Sequence, residues 1–110
     1  MKIKLKAVNL TLTEPLREYV EDKIGSLARF LKKIDLEGAV EIDVEIGRTT
    51  RHHHKGRIFM AGVNMRLPGK LLRAEDRNFD IRTAVDKVRD KLQREIEKYK
   101  TARSNQARPA

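Results

Sequence analysis

The chain has 110 residues, enough for one domain with a real core. Apolar residues make up 39% and charged residues 37%. The apolar ones fall in periodic segments, which excludes a disordered polar tract. There is no cysteine, which excludes a disulfide scaffold, a cysteine-based zinc site and a thiol nucleophile.

No apolar run approaches the roughly 20 residues a membrane span needs. The N-terminus lacks the apolar stretch of a signal peptide. A soluble intracellular protein is the expectation. Lys plus Arg is 25 against 16 for Asp plus Glu, a net charge of +9. Residues 1–50 hold nine of each sign, and residues 51–110 hold 16 basic and seven acidic. The whole excess therefore lies in the second half, which points to a polyanion, most commonly nucleic acid. The competing reading is a solvated basic surface.

In chain order, residues 2–8 alternate, with Lys2, Lys4 and Lys6 on one side and Ile3, Leu5 and Ala7 on the other. That is a half-buried strand. Asn9 to Thr13 form a turn. Thr13 caps a helix whose first turn holds Glu14 and Pro15. Leu16, Tyr19, Val20, Ile24, Leu27 and Leu31 predict that this helix runs to about Leu31. Residues 39–46 alternate again, with Val40, Ile42, Val44 and Ile46 apolar and Glu41, Asp43 and Glu45 acidic. Residues 48–57 read as a polar, basic loop. Phe59, Ala61, Val63, Met65 and Leu67 mark a third strand, and Pro68-Gly69 a turn. Leu72 and Ala74 fit a short fourth strand. Asp80 caps a final helix to about Lys100, with core face Ile81, Ala84, Val85, Val88, Leu92, Ile96 and Tyr99. The last ten residues carry no periodicity and are expected to fray.

The order βαβββα predicts an α+β, two-layer fold. Two helices pack on one face of a four-stranded mixed sheet, and the first helix crosses between parallel strands 1 and 2. Lys2, Lys4 and Lys6 then lie near Glu41, Asp43 and Glu45 on the solvated face.

On the final helix, Lys87, Lys91, Arg94 and Lys98 fall within about 60° at ~100° per residue. They form a basic ridge beside the core stripe, suited to a phosphate backbone. Arg82, Arg89 and Lys100 form a second, more outward set. A solvated face with intrahelical pairs explains the ridge equally well. Lys23 lies at the edge of the first helix's apolar face. Arg29, Lys32 and Lys33 lie near its C-terminal end, where they complement the helix dipole. Side-by-side helices would let Lys23 and the ridge line one shared groove. Lys91 and Arg94 both lie off the core stripe, so charge reversal there is expected to spare the fold.

His52, His53 and His54 lack a carboxylate or thiolate partner nearby and the i, i+4 spacing of ligands on one helix face, so no metal site is assigned. Ser26 and Ser104 have no nucleophile-elbow context. No glycine loop cradles phosphate. Glu75 and Asp76 form a compact acidic pair best explained by a turn or helix entry. Stacking aromatics on a sheet face are not apparent, so backbone and shape recognition is the natural mode.

Several stretches together resemble the ribosome hibernation-promoting factors, which include the ribosome-associated inhibitor and ribosomal subunit interface proteins. They are Leu16-Arg17-Glu18-Tyr19-Val20 followed by Lys23; Leu67-Pro68-Gly69 leading into Leu72-Arg73-Ala74-Glu75; and Asp80-Ile81 with Ala84-Val85-Asp86 and Asp90-Lys91-Leu92. Arg94, Lys98 and Lys100 follow. The match spans residues 1–100. It implies a ribosome-binding domain over 1–100 with a flexible tail at 101–110. It also implies occupation of the messenger and transfer RNA channel of the small ribosomal subunit near the decoding centre. The basic helix residues would face ribosomal RNA: Lys23, Lys91, Arg94, Lys98 and Lys100, extended by Lys87, Arg82 and Arg29. Ser26 stands where family members often have lysine, and Glu95 where they often have glutamine. Long members add a C-terminal domain that joins two ribosomes, so this chain resembles the short class or a shortened long one.

The expectation is thus a non-catalytic, cytoplasmic translation inhibitor of the stress response. Its partner is the small ribosomal subunit and its rRNA. It has no cofactor, no small-molecule substrate and no membrane partner, and it is a monomer off the ribosome. The rivals are a double-stranded RNA-binding module, which would begin with a helix, and a protein-interaction modulator of transcription.

Overall fold

The computed structural model describes residues 1–35, 39–49 and 58–107. Strand β1 (Lys2–Val8) is followed by helix α1 (Glu14–Gly25), a 3-10 helix (Ser26–Phe30), strands β2 (Glu41–Arg48), β3 (Phe59–Leu67) and β4 (Lys70–Asn78), and helix α2 (Ile81–Ala107). The four strands form one mixed sheet in the order β1-β2-β3-β4. β1 runs parallel to β2, while β2–β3 and β3–β4 are antiparallel. This is the α+β layout expected from the alternation.

Both helices cover the same sheet face. Ile42, Val44 and Ile46 of β2, Ala61, Val63 and Met65 of β3, and Leu72 and Ala74 of β4 are buried there. They meet Leu16, Val20 and Ile24 of α1 and Ile81, Ala84, Val85, Val88, Leu92 and Ile96 of α2. Every buried residue of this core is apolar. The opposite face is solvated. Lys2, Lys4 and Lys6 stand in register with Glu41, Asp43 and Glu45, as the parallel pairing requires. None of the three pairs closes to an ion pair among the described residues; Glu41 instead meets Arg66 at 4.0 Å.

Helix α1 starts as expected, with the Thr13 hydroxyl accepting from the Leu16 amide. It stops being an α-helix at Gly25, six residues before the Leu31 boundary that the periodicity predicts. The Ser26 hydroxyl donates to the Lys23 carbonyl at 2.6 Å. That bond offers the backbone an alternative to the α ladder just where glycine weakens it. The tighter 3-10 winding still delivers Leu27 and Leu31 to the core, both fully buried.

β4 has nine residues rather than the short strand expected. Pro68-Gly69 joins it to β3: proline fixes its own φ, and Gly69 takes φ +73°. Glu75 and Asp76 are mid-strand residues on opposite faces, not a turn or helix-entry pair. Glu75 pairs with Arg73 and Arg77 on the solvated side. Asp76 points to the helix side, its side chain 12% exposed. Helix α2 continues to Ala107, about two turns beyond the Lys100 boundary. Past Tyr99 no core burial is needed: Arg103 donates to the Tyr99 hydroxyl at 2.7 Å, and Tyr99 donates to the Pro68 carbonyl at 2.7 Å. No helix among the described residues is long and apolar enough to cross a membrane.

Candidate nucleic-acid interface

The core stripe of α2 has two flanks, and they face different neighbours. One flank meets α1. Here the Tyr19 hydroxyl donates to Asp86 Oδ1 at 2.6 Å, and Lys23 Nζ lies 3.6 Å from the same oxygen. The Arg82 guanidinium sits 5.4 Å from the centre of the Tyr19 ring and Lys23 Nζ 5.7 Å, so two cations share one aromatic ring. The hydrogen bond to Asp86, with burial second, pushes the Tyr19 hydroxyl up to about 12. One turn further along, Arg89 Nε donates to Ser26 Oγ at 3.1 Å and its other end reaches Gln93 and Asp90. Arg29 and Arg89 stack against Phe30, at 4.8 and 5.9 Å. Arg89 is only 15% exposed, so it belongs to the seam between the helices rather than to an outward set.

The other flank faces β4. Lys91 Nζ donates to the Glu75 carbonyl at 2.7 Å and lies 3.3 Å from Asp76 Oδ1. Lys98 pairs with Glu95 at 3.5 Å and borders an open groove of about 680 Å³ between the end of α2 and the β3–β4 turn. Between the flanks, on the crest of α2, Lys87 and Arg94 are exposed and have no ion-pair partner among the described residues. Lys100 is likewise exposed, beyond the end of α1.

The eight residues expected to bind RNA therefore divide. Lys23 and Arg82 come together over Tyr19, with Arg29 nearby along the same seam. Lys91 and Lys98 lie on the far side of α2, and Lys87, Arg94 and Lys100 have no ion-pair partner among the described residues. The shared groove expected for Lys23 and the ridge does not form, because α2 itself stands between them. Its α1-facing flank carries Arg82, Asp86 and Arg89 instead. Charge reversal at Lys91 is also expected to perturb the fold, since among the described residues Lys91 is the only cation at a largely buried carboxylate. Sequence reasoning placed Tyr19 in the core and left Arg89, Phe30 and Arg103 without a site role. The angular position of Arg89, shared with Arg82, was the signal available.

The described residues offer no catalytic set. Ser26 is engaged with Lys23 and Arg89, and no group of three His, Cys, Asp or Glu side chains among the described residues is placed to hold a metal. His52, His53 and His54 lie outside the described residues, as does most of the basic loop around them. What the helix layer offers is a set of exposed cations on a rigid scaffold. That arrangement suits electrostatic contact with a phosphate backbone.

Comparison with known proteins follows the same line. The family model described as "Sigma 54 modulation protein / S30EA ribosomal protein" matches residues 3–104. The ribosome hibernation promotion factor of Deinococcus radiodurans is 34% identical over 97 residues, covering 88% of this chain and 48% of the relative. That of Staphylococcus aureus is 32% identical over 109 residues, covering 98% and 53%. The chain thus spans about half the length of these curated relatives. Among solved structures, the Thermus thermophilus Protein Y N-terminal domain superposes with a TM-score of 0.71 at 25% identity, covering 90% of this chain and 99% of that one. A ribosomal subunit interface protein from Coxiella burnetii shares the fold, with a TM-score of 0.68 at 22% identity, covering 92% of this chain and 99% of that one.

Proposed function

The chain belongs to the sigma 54 modulation protein / S30EA ribosomal protein family, and we propose that it is a ribosome hibernation factor that inhibits translation without catalysis. It acts in the cytoplasm, on the small ribosomal subunit. The helix layer lies against ribosomal RNA near the decoding centre and excludes messenger and transfer RNA by occupying their channel. Lys87, Arg94 and Lys100 contact phosphates directly. Lys23 and Arg82 do so from the Tyr19 cluster, and Arg29, Lys91 and Lys98 extend the surface on either side. Residues 1–100 form the binding domain. The protein is a monomer off the ribosome.

The observation that carries this reading is the crest of α2. Lys87 and Arg94 are exposed, unpaired among the described residues, and fixed on a helix whose other side is fully committed to the core. Such cations are available to phosphate without breaking a native contact. If about five of them neutralise phosphates, log K falls against log salt with a slope of about −3.5 to −4.5.

Co-sedimentation with purified small ribosomal subunits across a salt series, with free duplex RNA as competitor, tests it. The expected result is roughly stoichiometric, salt-sensitive binding that duplex RNA does not displace. Absence of pelleting at low salt refutes the reading. Displacement by duplex RNA transfers it to a double-stranded RNA-binding module, and salt-insensitive pelleting transfers it to a protein contact.

A further inference from the structure

Phe79 is the most exposed large apolar side chain among the described residues, with 65% of its surface in solvent. It stands between β4 and α2, immediately before Asp80. An apolar residue at that position ordinarily packs on the fourth helical residue as a hydrophobic staple. Here that residue is Ala84, which is fully buried, and Phe79 is not among the side chains packed against the core. The staple does not account for the ring.

The segment that presents Phe79 is nonetheless held. The Asp80 amide donates to Asn78 Oδ1 at 3.3 Å, the Arg82 amide to Asp80 Oδ1 at 3.3 Å, and the Thr83 hydroxyl to Asp80 Oδ2 at 2.9 Å. Asn78 is itself the last residue of β4, paired with Phe59. The ring is therefore carried into solvent on a fixed backbone. Its neighbours in the chain are cations: Arg77, 60% exposed, two residues before, and Arg82, also exposed, three residues after. Leu71, the other exposed large apolar side chain among the described residues, lies at the opposite end of β4, so among the described residues no apolar patch surrounds Phe79. An exposed aromatic ring with exposed arginines two residues before it and three residues after it in the chain suits a ligand that offers a π-face and phosphates.

We propose that Phe79 stacks on an unpaired base of the RNA that the protein binds, with Arg77 and Arg82 on the flanking phosphates. The inference rests on the ribosomal RNA reading above and adds a contact to a base, where all the others are to the backbone. Stacking is independent of counterion release, so its loss lowers affinity without changing the salt slope.

The test is equilibrium binding of the full chain to small ribosomal subunits at several salt concentrations, for the native protein and for Phe79→Ala, Phe79→Leu and Phe79→Tyr. The ring is exposed, so all three variants keep the native melting temperature. Phe79→Ala and Phe79→Leu should bind about 5- to 100-fold more weakly with an unchanged slope, and Phe79→Tyr within about threefold of the native protein. Native affinity in Phe79→Ala overturns the proposal. So does native affinity in Phe79→Leu, which would mark an apolar contact to protein instead of a stacked base. A native protein that does not bind subunits at any salt overturns the hibernation reading itself and this proposal with it.

Discussion

Replacing Lys91 by alanine should cost more stability than its position on the helix surface suggests. Its ammonium group donates to the Glu75 carbonyl and faces Asp76, whose side chain is only 12% exposed. Among the described residues Asp76 Oδ2 is buried without a hydrogen-bond partner, and Lys91 is the carboxylate's one compensating cation. Removing one partner of a fully buried pair costs about 3–5 kcal/mol. Lys91 is 42% exposed, and solvent screening reduces the cost. About half of the buried value, roughly 1.5–2.5 kcal/mol, is the working figure. For a chain of this size that corresponds to a melting temperature lower by about 6–10 °C. Thermal unfolding followed by far-ultraviolet circular dichroism measures it. Arg94→Ala, on the exposed crest, should melt within about 2 °C of the native protein. Asp76→Asn combined with Lys91→Ala should recover more than half of the loss, because the buried charge is gone. A Lys91→Ala protein that melts with the native one would show that Asp76 does not depend on Lys91. Charge reversal at Lys91 therefore confounds folding with binding.

The clean binding variant is Lys87→Glu with Arg94→Glu. It should keep the native melting temperature and reduce the magnitude of the salt slope on small subunits by about two; unchanged binding would remove the crest from the interface. Tyr19 holds its proton up to about 12 against an ordinary value of 10. The folded state then retains a proton that the unfolded state releases, so this stabilisation is intact below pH 10 and is lost as pH rises from 10 to 12. Chemical denaturation across that range should show the loss, and Tyr19→Phe should remove it. The Thr83 hydroxyl, more than any other group, holds the Asp80 carboxyl below the usual 3.8. Its stabilisation is therefore present above that value and disappears as pH falls through the lower, folded one. Asp80→Asn keeps a capping oxygen and should flatten stability below pH 4, whereas Asp80→Ala should cost about 1 kcal/mol at neutral pH.

The strands were legible where one face is solvated. β1 and β3 match their alternation, and β2 is shifted by two residues at each end. β4 was under-read because Asp76 breaks the alternation on its core side. The inward carboxylate meets Lys91, 15 residues on, and no local pattern announces that partner. The early end of α1 was illegible for another reason: Leu27 and Leu31 keep helical spacing whether the turn between them is α or 3-10. Apolar periodicity also stops at Tyr99 although the helix does not, since periodicity reports burial and α2 outlasts its core. For the candidate surface, spacing orders the cations around α2 but leaves its two flanks equivalent, which is why Arg89 reads as outward although it is packed in the seam. Only the packing shows that Arg82 and Arg89 face α1 while Lys91 faces β4.

The parallel pairing of β1 with β2 sets a schedule for the emerging chain. Lys2 pairs with Glu41, and every later pair in that ladder keeps the same separation. β1 is made first, yet its hydrogen-bonding partner is 39 residues away. At about 5–20 residues per second, that gap corresponds to roughly 2–8 seconds of synthesis. During that interval the segment is an unpaired strand with an apolar side of Ile3, Leu5 and Ala7. Lys2, Lys4 and Lys6 give its other side a row of like charges, which repels a second copy of the same strand. Those lysines thus guard the nascent chain against pairing with another nascent copy before they ever face Glu41, Asp43 and Glu45.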